Sequence, residues 1–257
     1  MIRKSPSIIA VLLAVLLGST VVILAGALDL NNAVVVTPAN LAGPEKKAVA
    51  MLLDEVERRT QIRWPTASTW PAPGRPIIAV GRASALKEFA GKLPALSASQ
   101  DRPAAEGYRI RIQNDPNAQI LSISGNDSRG VLFGIGRLLR ELRMTNGHVD
   151  IDDHFSVTSA PKYPLRGHQL GYRPKTHSYD AWDLPVWEQY IRDLAVFDCN
   201  AVELIPPRSD DDATSPHFPL PPMQMMIGMS KLLDDYGLDV WIWYPAMDKD
   251  YSDPKTV

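Results

Sequence analysis

Side chains able to do chemistry gather in three short stretches of the C-terminal half of the sequence. The first holds Arg166, His168, Gln169, Tyr172 and Arg173. The second holds Glu203 and the run Pro206-Pro207-Arg208-Ser209-Asp210-Asp211-Asp212. The third holds Tyr244, Asp248 and Asp250. Carboxylates and guanidinium groups take hydroxyls, and aromatic rings cover C–H faces, so this mixture suits a polyhydroxylated ligand.

Each residue has a plainer reading beside the chemical one. Arg166 lies in an otherwise apolar stretch, where its fixed fork of five donors suits a hydroxyl pair or a carboxylate. It is read as a ligand contact, with an internal salt bridge as the alternative. Glu203 sits mid-way along the apolar segment 201–205, and a charge there is costly to bury unless paired or used. Ligand binding and a structural ion pair with a neighbouring strand's arginine stand level for it. Asp210, Asp211 and Asp212 offer oxygen ligands for a hard cation, but no EF-hand spacing accompanies them, so a solvated loop is preferred. Trp241 and Trp243 share one strand face and read as core packing rather than a sugar platform, because their strand is central.

The elements that must position these residues follow from periodicity. Segments 165–170, 201–205 and 239–244 read as strands. Between them, Asp183 caps a helix in which Trp187, Tyr190, Ile191 and Leu194 share a face, and a Met-rich helix over 225–236 closes at Gly237. Crossovers of this length require parallel strands. The pattern β-α-β-α-β is the opening part of a (β/α)8 TIM barrel, whose functional residues gather at the C-terminal strand ends.

The preceding residues read differently. Ala33-Val34-Val35-Val36-Thr37 is a buried strand. Gly43-Pro44 opens a helix with Val49, Leu52, Leu53 and Val56 on one face and Arg58 and Arg59 in its last turn. A proline-rich loop spans 64–76, and 77–81 is a second buried strand. Residues 108–112 and 120–124 form a hairpin, with turn chemistry at Asn114-Asp115-Pro116-Asn117. Asp127 caps a helix with an apolar stripe from Val131 to Leu142, ending in Arg140 and Arg143. Gly130, Gly134 and Gly136 lie inside that helix, so they are read as close helix–sheet packing and not as a phosphate loop. Strands, hairpin and helices mixed in this way indicate a small α+β sandwich over 29–158, followed by the barrel portion over 159–257.

Composition narrows the classes. Hydrophobic residues make up 45% of the 257, charged residues 22%, and the net charge is −2, as in an ordinary globular protein. No basic stripe with interleaved aromatics supports nucleic-acid binding. One cysteine, Cys199, excludes an internal disulfide, and the five histidines fall at no metal-ligand spacing. No cofactor or metal is expected.

At the N-terminus, Arg3 and Lys4 precede the uncharged segment 5–28, which carries an apolar core and Ala25-Gly26-Ala27. A positive start, an apolar run and an A-x-A site read as a secretory signal over 1–28. The run also reaches the about 20 residues that cross a bilayer. An uncleaved anchor is therefore the second reading, and the only route to a membrane. Either way the protein is expected to be exported, to a periplasmic or extracellular location.

Two stretches carry a family resemblance. Glu106-Gly107-Tyr108-Arg109-Ile110 and the segment from Ile123-Ser124-Gly125-Asn126-Asp127 to Gly134 resemble the accessory α+β domain before the barrel in family 20 hexosaminidases, a domain also found in bacterial α-glucuronidases. Tyr163-Pro164-Leu165-Arg166-Gly167 resembles the opening barrel strand of those hexosaminidases. Tyr244-Pro245-Ala246-Met247-Asp248 is similar to their third-strand segment, with Ala246 where the family has glutamate and Lys249-Asp250-Tyr251 where it has Pro-Gly-His. Gly171 and Tyr172 stand where an aspartate is expected. The resemblance implies a divergent glycoside hydrolase, with an oligo- or polysaccharide substrate and with Arg166 and Asp248 among the sugar contacts. Arg173, Glu203 and Tyr244 join them from the reading of the strand ends.

That family uses an Asp-Glu pair after the fourth strand, the glutamate as general acid and the aspartate orienting the substrate's acetamido group. No position in this sequence matches the pair, so no catalytic residue is assigned within it, and the chain alone is expected to lack hydrolase activity. The alternative is a non-catalytic module that binds a carbohydrate or a partner.

Overall fold

The computed structural model describes residues 26–89, 91–93, 104–115, 118–170, 181–204 and 219–242. Residues 1–25 of the export segment, Arg173, the aspartate run 210–212, Trp243, Tyr244 and Asp248 lie outside these residues, whereas residues 26–28 of that segment are described, Ala27 and Leu28 pairing with Asp152 and Ile151. Among the described residues no helix is long and apolar enough to cross a membrane.

The N-terminal sheet is built on unbroken apolar runs. After β1 (Ala27–Asp29) come β2 (Val34–Val36), helix α1 (Gly43–Thr60), β3 (Thr66–Ala67), β4 (Ile77–Arg82), β5 (Tyr108–Asp115) and β6 (Ala118–Gly125). β2, β3, β4 and β6 run parallel, and β5 returns antiparallel to β6 as the expected hairpin. With β9 (Ser156–Ser159) on the far edge, the order is β3-β2-β4-β6-β5-β9. Val35, Ile78 and Val80 face the helices. Val34, Val36, Ile77, Ala79 and Ile120 pack on the other side with Leu86, Leu93, Trp70 and Phe89. Burial on both faces is why β2 and β4 lack alternation. β3 arises inside the stretch read as a loop, pairing with β2 through Val35–Thr66 and Val36–Ala67.

α1 starts at Gly43 with Pro44 in its first turn, Glu45 accepting from the Ala42 N–H at 3.3 Å, and is closed by Gln61 in the left-handed region (φ 63°). The second helix, α2 (Ser128–Glu141), is capped by Asp127, whose carboxylate accepts from the Gly130 N–H at 2.8 Å. Gly134 lets α2 approach the sheet: a Cβ there would lie 2.8 Å from Ile123 Cγ2. α2 stops at Glu141, one residue before the expected stripe ends, because Arg143 opens β7 (Arg143–Thr145). β7, β8 (His148–Asp152) and β1 form a separate antiparallel sheet in the order β1-β8-β7.

The C-terminal part is β10 (Gly167–Gln169), α3 (Leu184–Val196), β11 (Ala201–Leu204), α4 (Pro222–Tyr236) and β12 (Asp239–Ile242). Its three strands are parallel and adjacent in chain order. Asp183 caps α3 by accepting from Val186 N–H, and Gly237 closes α4 at φ 70°. Helices α3 and α4 pack on α2 and α1, so the layers run six-stranded sheet, α1 with α2, α3 with α4, three-stranded sheet. Gly136 permits this contact, since a Cβ there would sit 2.9 Å from the Val196 backbone. One core extends from Leu28 through Phe133 and Trp187 to Leu238, across both halves. The fold is therefore an α+β sandwich continued by the βαβαβ part of a TIM barrel.

Candidate sugar-binding face

Pleating sorts the barrel residues. Val202 and Leu204, each 1% exposed, and Leu170 face the helices. His168 belongs to the helix side as well, its Nε2 lying 2.7 Å from Tyr190 Oη. The register pairs Gln169 with Glu203 and Glu203 with Trp241, so these three stand in one row on the opposite face. With the helices outside, that face is the barrel's interior, and the row lies towards the C-terminal strand ends. Gln169 is exposed and Glu203 half-buried. Trp241 is 54% exposed, where core packing was expected. The reason is position: among the described residues β12 pairs with β11 alone, so nothing covers the indole from the other side. Amide, carboxylate and aromatic ring thus stand side by side.

Arg166 lies at the other end. It precedes β10, and its guanidinium turns towards the N-terminal domain. Nε donates to Asp198 O at 2.7 Å, Nη1 to Tyr163 O at 2.9 Å and Nη2 to Glu106 Oε2 at 2.5 Å, while the group stacks over Phe133 at 5.1 Å. Glu106 also accepts from Arg129 Nη1 at 3.0 Å and from Asn200 Nδ2 at 3.2 Å. Burial works against the Glu106 carboxylate, but the hydrogen bonds from Arg166, Arg129 and Asn200 outweigh it and hold its pKa below the usual glutamate value. Arg129 goes on to Asp239 Oδ1 (2.5 Å) and Gly237 O (2.6 Å). The structure thus gives Arg166 the salt bridge that was its alternative reading, with a partner on the accessory domain. Neither Glu106 nor Asn200 stood out as functional in the sequence. The one available signal was polarity flanking apolar strands.

A second cluster joins the halves through the helices. Arg192, with a side chain 4% exposed, contacts Glu55 (3.1 Å), Asp54 (3.3 Å), Glu188 (3.3 Å) and Tyr236 Oη (3.2 Å). Lys47 pairs with Glu188 at 2.5 Å. Burial, then the Arg192 and acidic neighbours acting in opposite senses, leave the Tyr236 phenol pushed up to about 12. These charges are bound to one another. Among the described residues no group of three or more His, Cys, Asp or Glu is placed to hold a metal.

No known family's sequence profile matches the chain, and no curated protein matches it in sequence. Solved structures do match. The family 84 glycoside hydrolase CpGH84B has a TM-score of 0.56 at 16% identity, over 90% of this chain and 36% of that one. The family 20 β-N-acetylhexosaminidase of Streptomyces coelicolor A3(2) has a TM-score of 0.57 at 13% identity, over 84% of this chain and 43% of its own. The family 115 4-O-methyl-α-glucuronidase BtGH115A has a TM-score of 0.57 at 14% identity, over 82% of this chain and 29% of its own. The chain thus spans less than half the length of each. Its fold is the one these TIM-barrel glycoside hydrolases share over that portion, an α+β domain leading into parallel βα units.

Proposed function

We propose that this chain belongs to a glycoside hydrolase acting on an oligo- or polysaccharide, and that its barrel strands form one wall of the sugar site. The observation that carries the reading is the row Gln169, Glu203 and Trp241 on the interior face of a parallel sheet. Such a row matches a sugar's own division into hydroxyls and C–H faces: the amide and carboxylate take hydroxyls, and the indole stacks on the ring. Glu203 is therefore a hydroxyl-binding residue here, with Arg173, Tyr244 and Asp248 proposed to join it from the strand-end loops. Arg166 enters this reading through the fold, by its tie to Glu106.

The test is binding by the purified chain to N-acetylglucosamine, glucuronic acid and their oligomers, followed by tryptophan fluorescence and calorimetry. Saturable binding that weakens about tenfold or more in Trp241→Ala supports the proposal, since ring stacking of this kind contributes on the order of 1 to 2 kcal/mol. Saturable binding to a protein partner, with none to any saccharide, would favour a partner-binding module instead.

A further inference from the structure

We infer that Glu106 is a positioning residue for the Gln169–Glu203–Trp241 row, setting the level of all three barrel strands from their N-terminal ends. Its carboxylate contacts Arg166, one residue before β10, and Asn200, one residue before β11. Through Arg129 it is coupled to Asp239, the first residue of β12. Asn200 tightens the same point: its Oδ1 accepts from Arg166 N–H at 2.8 Å, and its carbonyl accepts from Asp239 N–H at 2.8 Å. One carboxylate from the accessory domain therefore fixes a common starting line, where Gly167, Ala201 and Asp239 are register partners. Two residues along each strand from that line stand Gln169, Glu203 and Trp241.

Glu106 is itself held firmly enough to act as a reference. Its N–H donates to Asp127 Oδ2 at 2.7 Å, at the cap of α2, and its backbone sits at φ 59°, a region glutamate rarely adopts. Such a conformation persists where the surroundings over-determine it. A one-residue slip of a strand exchanges its two faces. The level set at the N-terminal end thus decides whether Glu203 or its neighbours Val202 and Leu204 face the interior. The sugar role of the row rests on the proposed function, whereas the positioning role does not.

Hydrogen exchange on the full chain separates this from plain stabilisation and needs no sugar. Three proteins are compared: wild type, Glu106→Gln, and Leu52→Ala, a control fully buried in the shared core from α1. In Glu106→Gln, amides of β10, β11 and β12 should exchange about tenfold or more faster while β4, β5 and β6 keep their protection. Leu52→Ala should speed both sheets together. Should Glu106→Gln fail to fold, Arg129→Met decides, with loss concentrated in β12. Unchanged exchange, or a pattern that matches the Leu52→Ala control, would overturn the inference. A chain that binds no saccharide but shows the selective pattern would sink the proposed function and leave the positioning role standing.

Discussion

Arg166 reaches back 60 residues along the chain to Glu106, its Nη2 2.5 Å from Oε2, and ties the start of the barrel to the domain before it. The two side chains are 20% and 12% exposed, so neither is freely solvated. Removing the cation leaves a half-buried carboxylate with fewer donors.

Arg166→Ala is therefore expected to act first on stability. Loss of a charge-assisted, largely buried contact costs about 2 to 4 kcal/mol. Urea unfolding at neutral pH should show that drop, and an unchanged midpoint and slope would contradict the assigned role.

Arg192 carries a larger expected effect. Its side chain is 4% exposed and faces Glu55, itself 6% exposed. Arg192→Ala leaves that carboxylate with Arg59 as its remaining cation, at 2.8 Å, and strips a donor from Glu188 and Asp54 as well, at a cost of about 3 to 5 kcal/mol. Replacing Arg192 and Glu55 together by apolar residues should recover much of the loss in a double-mutant cycle.

Acid should loosen both clusters. Burial opposes the charged form of Glu55, Glu106 and Glu188, yet their cationic partners win and lower all three pKa values. A lowered carboxylate contributes stability that is present above its unfolded value, near 4.5, and is lost as pH falls through the folded value. The melting temperature should accordingly fall as pH drops below that range. Asp198 has the opposite sign. Burial raises its pKa although Arg140, Arg166 and Arg137 pull it down, so its ionised form costs stability at neutral pH. Its backbone lies at φ 65°, which asparagine tolerates. Asp198→Asn should raise the melting temperature at pH 7, with the gain shrinking towards acid.

Gly136→Ala should destabilise by about 1 to 3 kcal/mol, since its methyl would meet the Val196 backbone at 2.9 Å and backbone cannot move aside cheaply. Chemical denaturation checks this directly.

Much of this arrangement was legible in the sequence, and the illegible parts share a cause. The α1 face, the β5–β6 hairpin, the caps at Asp127 and Asp183 and the βαβαβ order all follow from local spacing. β7 and β8 escaped because three- to five-residue strands carry too little alternation and Arg143 read equally well as a helix end, while β1 overlaps residues 27 and 28 of the stretch read as the export segment. Local spacing showed that Arg166 was an uncommon residue for its surroundings. It held no information on the end of the strand the guanidinium would leave from, nor on a partner at Glu106. Trp241 was read as core because its strand looked central, while the structure makes β12 an edge among the described strands.

Whether the Gln169–Glu203–Trp241 face binds sugar is reported most directly by the Trp241 indole N–H resonance. Titration of the full chain with N-acetylglucosamine oligomers and glucuronic acid should move that resonance saturably for at least one saccharide, with weaker binding in Glu203→Gln and no loss of fold. A resonance that stays fixed through millimolar concentrations of every saccharide would contradict the account.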